Sequence, residues 1–283
     1  MSDAKLAEQE LERSAQGIAL PSCPRVLIDL SSETRKEDPS LQRIEALVAQ
    51  DIGLLATLLK TVNSPFYGLR SKVSTVRQAV QIIGVSMLAR TVTGIVLKKA
   101  LSGGNQVAME AYWDASAKTA MAASYIARQL PGMNKDEAYT FGLFQNCGIP
   151  ILMQRFADYA KTLQLAGRDC ERKHTEVEEA MHSTNHATLG YLLAKSWNLP
   201  EDLSQAIRYH HEYALLADAR ADLTTQSRNL IALGLVADYA LQQHAGAADS
   251  PEWLRGGHHA LTHLGMTKEE CDETVSDLMV MLG

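Results

Sequence analysis

Apolar residues recur every three or four positions along most of the chain, which is the spacing that gives an α-helix one apolar face. Two clear stripes lie in the first quarter of the chain: Leu41, Ile44, Leu47 and Val48, and then Ile52, Leu55, Leu58, Leu59 and Val62. No segment shows a convincing alternation of apolar and polar residues, which a half-buried strand would need. The pattern therefore predicts an all-α protein without a sheet.

Residues that start and stop helices divide this pattern into separate elements. Asp38 or Ser40 is expected to cap the helix that carries the first stripe, because a side-chain oxygen there can accept a hydrogen bond from a free backbone N–H group. Asp51 is expected to cap the next helix in the same way. A further helix is predicted to open at Ser74 and to end at Gly84, since glycine adopts the left-handed backbone that often follows a helix.

The segment Ser102-Gly103-Gly104-Asn105 is the best internal boundary, because it joins flexible turn-forming residues after a long apolar helix. It predicts a hinge between two helical lobes, residues 20–101 and 106–283, after a leader helix within residues 1–19. Helices of the second lobe are predicted at residues 111–129, 135–147, 149–166, 175–182, 186–197, 201–211 and 227–244. Thr267 and Glu270 form a capping-box pattern for a final helix.

Composition narrows the class of protein further. The net charge of −6 argues against a nucleic-acid-binding surface, which usually needs excess Lys and Arg. No apolar run is long enough for a bilayer and the first twenty residues do not resemble a signal peptide, so no membrane association is expected. The four cysteines are scattered and form no Cys-x-x-Cys pair, which is typical of reduced thiols in a cytoplasm.

Several motifs follow one another in the order found in a known family. The most specific is Asn-Ser-x-x-Tyr-Gly at residues 63–68, followed by a helix that ends in glycine. The others are the proline-rich entry at residues 20–24, Trp-x-x-Ser at 113–116, Phe-Gly-Leu at 141–143, Asn-His at 185–186, Trp-Asn-Leu-Pro at 197–200 and His-His at 210–211. Together they resemble the HDOD family, a helical relative of the HD phosphohydrolases. The resemblance extends from Leu20 to about Tyr239 and assigns residues 20–283 to one HDOD domain.

The resemblance implies where a metal centre would lie in an active HD enzyme. There a histidine, a His-Asp pair and a later aspartate hold a divalent metal that lowers the pKa of a bound water. The matching positions here are Ala115, Gln145, Asn146 and Asp238. Alanine has no ligand atom, and each carboxamide offers one neutral oxygen in place of an imidazole or a carboxylate. We therefore expect no catalytic residue, no metal and no cofactor.

His186, His210, His211 and Asp238 remain from the wider set of polar residues that such sites use. The histidines are either hydrogen-bonded structural residues, which we favour, or ligands of a weak metal site. Since helices keep their packing after a site loses its chemistry, we expect these residues to meet Gln145 and Asn146 in one pocket. A buried Asp238 would need a histidine or a basic side chain within bonding distance.

The loop at residues 63–68 has two interpretations that the sequence does not separate. Asn63, Ser64, Phe66 and Tyr67 could contact a partner or a ligand, because exposed loops often carry function. Alternatively, the loop is a rigid connector in which Asn63 and Ser64 bond the backbone. In either case we expect the Asn63 carboxamide to be at least partly buried and bonded to backbone groups.

The resemblance implies an output module of bacterial signal transduction. We expect a non-enzymatic cytoplasmic protein that contacts signalling proteins in trans or holds a nucleotide-type ligand in the vestigial cavity. The alternative is a weak phosphohydrolase, or an effector, that acts on a nucleotide or a cyclic dinucleotide.

Overall fold

A computed structural model describes residues 11, 13–64, 67, 69, 72–103, 106–218 and 222–282. All regular structure in these residues is helical and none of them forms a strand, which confirms the predicted all-α fold. Most of the predicted leader helix lies outside the described residues. Phe66 and other parts of the loop at residues 63–68, and Gly104 in the predicted hinge, also lie outside the described residues.

The chain divides into two compact units, Pro21–Ser102 and Gly103–Gly283 with Met1–Leu20. The division falls inside the turn-forming segment that the sequence marks as a boundary. In the first unit α1 (Arg25–Thr34), α2 (Leu41–Ala49), α3 (Ile52–Val62) and α4 (Val76–Ala100) pack against one another. Both predicted stripes contribute buried side chains, among them Ile44, Leu47, Val48, Leu58 and Val62.

The helix starts of the first unit follow the capping residues closely. The Ser40 Oγ accepts from the Arg43 N–H at 3.3 Å, and Asp51 Oδ1 accepts from the Leu54 N–H at 3.1 Å. The predicted start at Ser74 is wrong by one residue. Thr75 caps α4 instead, because its hydroxyl accepts from the backbone N–H of Gln78 while Ser74 bonds the Gln78 side chain.

Helix α4 is the one helix in the described residues with the length and apolar composition of a membrane span. A single such helix is weak evidence for a span, because apolar core helices meet the same criteria. The backbone of α4 is also broken at Gly84, where φ is 80° and ψ is 160°. The predicted interruption at Gly84 is therefore confirmed, and α4 consists of two shorter helical segments.

The second unit contains the remaining helices, of which α12 packs against the largest number of others. They are α5 (Gln106–Gln129), α6 (Lys135–Phe144), α7 (Gly148–Arg155), α8 (Tyr159–Ala166), α9 (His174–His182), α10 (His186–Ser196), α11 (Glu201–Tyr209), α12 (Thr225–His244), α13 (Pro251–Leu264) and α14 (Lys268–Leu282). A short 3₁₀ helix, Tyr213–Leu216, follows α11. Helix α12 packs on α5, α6, α11, α13 and α14.

Two predicted helices of this unit end earlier than expected. Residues 149–166 form α7 and α8 rather than one helix, because Phe156 adopts an extended backbone and its ring packs on His182. Helix α6 ends at Phe144, so Gln145, Asn146 and Cys147 form a turn before α7.

The end of the chain agrees with its capping signals. Thr267 and Glu270 exchange the two hydrogen bonds of the predicted capping box before α14. Helix α13 was not predicted, although Ser250-Pro251 is a helix-start signal, and the Ser250 hydroxyl accepts from the Trp253 N–H. This helix brings Glu252 to the site described next.

Candidate functional site

Three histidine side chains meet inside the second unit. His186 is the first residue of α10, whose cap Asn185 accepts from the Thr188 N–H at 2.7 Å, and His210 and His211 directly follow α11. The Nε2 atom of His186 lies 3.2 Å from that of His210 and 3.0 Å from that of His211. All three side chains are buried, His186 completely. Their Nε2 atoms therefore face one another out of contact with bulk water.

The opposite ring nitrogen of each histidine has an oxygen partner. Nδ1 of His186 lies 2.7 Å from Glu178 Oε2, Nδ1 of His211 lies 2.7 Å from Glu252 Oε2, and Nδ1 of His210 lies 2.7 Å from the Ile207 carbonyl oxygen. Carbonyl and ionised carboxylate oxygens only accept, so the hydrogen lies on Nδ1 in each ring. In a neutral ring this leaves a lone pair on Nε2.

The two glutamates are held in their ionised form. Burial raises the pKa of Glu178, but His186, His174 and Tyr159 together lower it more, and the net value is about 2. Glu252 also has a pKa well below its usual range, because His211, Tyr213 and Arg255 outweigh the effect of burial. Tyr159 donates to Glu178, and Tyr213 donates to Glu252 at 2.7 Å.

The histidines themselves are shifted in different directions. Burial holds the pKa of His210 well below its usual range, so this ring is neutral at pH 7. For His211 burial lowers the pKa, but the contact with Glu252 raises it more. The pKa of His174, whose ring lies beside those of His186 and His211, is lowered to about 3 by burial and by the neighbouring histidines.

A cavity of about 170 Å³ adjoins the cluster. Its wall includes Gln145, Asn146, His174, His210, His211, Tyr213, Asp238 and Glu252. Asp238 accepts from the Thr119 hydroxyl at 3.1 Å and from Gln145 Nε2 at 3.0 Å. Burial raises the pKa of Asp238 to about 6, although both hydrogen bonds oppose the increase.

The structure brings most of the candidate residues together. Gln145, Asn146, His210, His211 and Asp238 line the cavity, and the His186 side chain lies behind the two other histidines. The prediction that Asp238 bonds a histidine or a basic side chain is wrong, because its two hydrogen-bond partners, Thr119 and Gln145, are neutral. A hydroxyl and a carboxamide donate the hydrogen bonds to the carboxylate, and His211 acts on it only electrostatically, without a hydrogen bond.

The placement of Ala115 in the pocket is also wrong. Ala115 is exposed, whereas Ser116, Thr119, Ala120 and Ala123, spaced three and four residues apart, form the buried face of α5. Thr119 on this face bonds Asp238. A shift of one position along a helix rotates a side chain by about 100°, which is enough to move it from the core to the surface.

Six residues of the site were missed by the sequence analysis: Thr119, Tyr159, His174, Glu178, Tyr213 and Glu252. His174 and Glu178 are four residues apart, and this spacing on one helix face was an available signal. Tyr213 and Glu252 had no comparable signal, because they reach the site from the 3₁₀ helix and from α13.

The other candidate loop lies in the first unit. Asn63 Nδ2 donates to the Leu59 and Val73 carbonyl oxygens at 2.8 and 2.7 Å, and its Oδ1 accepts from the Val73 N–H at 2.8 Å. The predicted bonding of Asn63 to backbone groups is confirmed. The Tyr67 hydroxyl lies 2.8 Å from the Thr91 hydroxyl. These bonds favour the connector interpretation, while a partner role for the loop, including Ser64, stays a prediction.

Comparison with known proteins gives a consistent family and fold. Residues 20–213 match the family model described as HDOD domain. A protein of Treponema pallidum, "Uncharacterized protein", is 27% identical over 200 residues, which are 68% of this chain and 37% of that protein. The chain thus spans little more than a third of the length of this curated relative.

Three solved structures share the fold. An HDOD domain protein with unknown function from Geobacter sulfurreducens has a TM-score of 0.74 at 21% identity, over 99% of this chain and 96% of that chain. A "Putative signal transduction protein" from Marinobacter aquaeolei VT8 has a TM-score of 0.73 at 19% identity, over 99% and 64%. A "Putative phosphohydrolase" from Shewanella amazonensis SB2B has a TM-score of 0.70 at 19% identity, over 100% and 99%.

Proposed function

This chain belongs to the HDOD domain family, and on that premise we propose that it is a non-enzymatic regulatory module of cytoplasmic signal transduction. It acts through contacts with signalling proteins in trans, or through a small ligand in the cavity of the second unit. The observation that carries the proposal is the state of Asp238. Both of its oxygens accept hydrogen bonds from neutral side chains, Thr119 and Gln145, at the position where an active HD enzyme would bind a metal.

The replacement of metal ligands by Gln145 and Asn146 argues against phosphoester hydrolysis. Hydrolysis by HD enzymes needs a cation close to the aspartate to generate hydroxide and to stabilise charge on phosphorus. Gln145 and Asn146 provide no imidazole and no anion next to Asp238, and Gln145 instead donates an N–H group to it.

The size of the cavity favours protein contacts over a whole nucleotide. Pockets that enclose drug-sized ligands have volumes of roughly 300–1,000 Å³, whereas this cavity measures about 170 Å³. A fragment such as a phosphate or a carboxylate group fits, but a nucleoside would need the wall to open. A nucleotide-type ligand is therefore the weaker of the two options.

A weak phosphohydrolase is the second candidate, and the histidine cluster is the observation that favours it. Three imidazole nitrogens at the edge of a cavity resemble the ligand set of a mononuclear metalloenzyme with one open coordination position.

The test is a phosphodiesterase and phosphatase assay of the full chain with bis(p-nitrophenyl) phosphate, nucleoside monophosphates and cyclic dinucleotides. Each substrate is offered with Mn²⁺, Fe²⁺, Ni²⁺ and Zn²⁺. We expect no turnover above that of the metal ions alone. The positive comparison is the double variant Gln145→His, Asn146→Asp, which replaces the two carboxamides by an imidazole and a carboxylate. Metal-dependent turnover by the wild type that disappears in Asp238→Ala would establish the hydrolase instead.

A further inference from the structure

The three Nε2 atoms of His186, His210 and His211 form an arrangement that needs a positive charge at its centre. Nδ1 of each ring donates to an oxygen, so in the neutral rings three lone pairs face one another. A single proton on one Nε2 can form only one N–H···N bond. That bond could join His186 to His211, at 3.0 Å, or to His210, at 3.2 Å, and the other contact would keep two lone pairs facing each other.

A metal ion satisfies all three nitrogens at once. With metal–nitrogen bonds of about 2.0–2.1 Å, two ligands of a tetrahedral or octahedral site lie roughly 2.9–3.4 Å apart. The distances from His186 Nε2 to the two other Nε2 atoms, 3.2 and 3.0 Å, fall in this interval.

The groups behind the histidines are those that orient metal ligands. A metal-bound histidine generally donates its other N–H to a carboxylate or to a backbone carbonyl, which fixes the ring and increases its basicity. Here Glu178, Glu252 and the Ile207 carbonyl serve the three rings, each at 2.7 Å. The two glutamates also offset the charge that three neutral ligands leave on a divalent ion.

We propose that His186, His210 and His211 bind one transition-metal ion through their Nε2 atoms, with an open coordination position toward the cavity. Imidazole ligands select Zn²⁺, Fe²⁺, Co²⁺, Ni²⁺ or Cu²⁺ over Mg²⁺ and Ca²⁺, which prefer oxygen. The ion joins the start of α10 to the end of α11, and the glutamates extend this link to α9 and α13. This proposal departs from the expectation, drawn from Ala115, Gln145 and Asn146, that no metal binds, and the titration below decides between the two.

A second group of possible ligands, His174, Glu178 and His186, is the less suitable site. Glu178 is already the acceptor for the His186 Nδ1–H, the His186 backbone N–H and the Tyr159 hydroxyl. The His174 Nε2 lies 3.8 Å from Glu178 Oε1. A metal ion held by His174, Glu178 and His186 would break the hydrogen bond between Glu178 and Nδ1 of His186. That bond orients the His186 ring for the Nε2 site, so the two sites cannot be occupied together.

The experiment is a titration of the chelator-treated full chain with Zn²⁺ in competition with a chromophoric chelator, and with Co²⁺ observed by visible absorption. We expect one ion per chain and a Co²⁺ spectrum with nitrogen ligands. Loss of a residue behind the ligands usually weakens binding by about 10–100-fold, so Glu252→Gln should fall in that interval and His211→Ala should lose at least about 100-fold. Zn²⁺ should also raise the melting temperature of the wild type.

His258→Ala is the matched control, because His258 is exposed in the same unit and outside the cluster, and it should bind like the wild type. Circular dichroism of each metal-free variant shows whether it is folded. If the folded His211→Ala variant binds as tightly as the wild type, or if the wild type binds less than half an equivalent, the proposal is overturned. Metal binding with turnover would support this site and overturn the non-enzymatic function, so the two proposals fail separately.

Discussion

At the scale of single residues, Asp238 and Asn63 show how differently two polar side chains are satisfied. Asp238 keeps an anionic group among neutral donors, which costs free energy whenever the group is ionised. The Asn63 carboxamide donates to two backbone carbonyl oxygens and accepts from one backbone N–H, and it thereby joins the end of α3 to Val73. Each arrangement makes a measurable prediction.

Asp238→Asn should remove a pH dependence of stability. Because the pKa of Asp238 is raised in the folded protein from 3.8 to about 6, the protonated form stabilises the fold at low pH, and this contribution disappears as the pH rises through 6. Relative to Asp238→Asn, the wild type should lose about 2 kcal/mol of unfolding free energy between pH 4 and pH 7. Urea denaturation of both proteins at several pH values measures this difference. An unchanged difference across that range would show that Asp238 titrates normally.

Asn63→Ala should lower the unfolding free energy by about 1–3 kcal/mol, because it removes the carboxamide that bonds both the N–H and the carbonyl oxygen of Val73. Chemical denaturation measures the change. Ser64→Ala is the neighbouring control, expected within about 0.5 kcal/mol of the wild type. If Asn63→Ala is as stable as the wild type but loses a binding partner, the loop has a functional role.

At the scale of elements, the site depends on how closely α7 approaches α10. A Cβ atom on Gly148 would lie 2.1 Å from the His186 carbonyl oxygen, and that oxygen belongs to the backbone and cannot rotate away. Glycine at the first position of α7 therefore lets the turn with Gln145 and Asn146 lie beside the His186 backbone. The starts of α7 and α10 therefore determine how close this turn lies to His186.

Gly148→Ala should destabilise the protein by about 2 kcal/mol or more, since the backbone of α7 or α10 must move to admit the methyl group. Thermal and urea unfolding measure the loss. Gly167→Ala is the matched control: this glycine has an ordinary φ of −68°, and its added Cβ would meet only the Leu163 carbonyl oxygen at 3.3 Å. Equal stability of the two variants would contradict the close packing of α7 on α10.

At the scale of the whole molecule, the two compact units each have buried side chains of their own, and the candidate site lies within Gly103–Gly283. Asn63 and Gly148 lie in different units: the Asn63 carboxamide bonds Leu59 and Val73 in the first, and Gly148 packs on His186 in the second. Substitutions at such positions usually change stability independently.

The double variant Asn63→Ala, Gly148→Ala should therefore lose the sum of the two single losses to within about 0.5 kcal/mol, if the chain unfolds in one transition. Fluorescence and circular dichroism followed in the same urea titration test this, because coincident curves show a single transition. A deviation of more than about 1 kcal/mol from additivity would show that the units are energetically coupled.

Local signals in the sequence determined which segments are helical and where many of them begin. The apolar stripes, the caps at Ser40 and Asp51, the break at Gly84 and the capping box at Thr267 depend on residues within four positions of one another. Such short-range signals operate in any tertiary context. They failed by one position at Ser74, where two adjacent hydroxyl residues compete for the same role, and the start signal of α13 at Ser250-Pro251 was overlooked.

Tertiary structure decided which further residues complete the site. Glu178, Tyr213 and Glu252 reach the histidines from separate elements, and the hydrogen bond between Gln145 and Asp238 joins residues 93 positions apart. Ala115 and Thr119 lie one turn apart on nearly the same face of α5, so which of them meets Asp238 depends on how far that helix is displaced and rotated against α6 and α12, and the sequence pattern does not determine this. The tautomers of the three histidines likewise follow from acceptors on other segments, because a ring nitrogen takes its role from the atom that it faces.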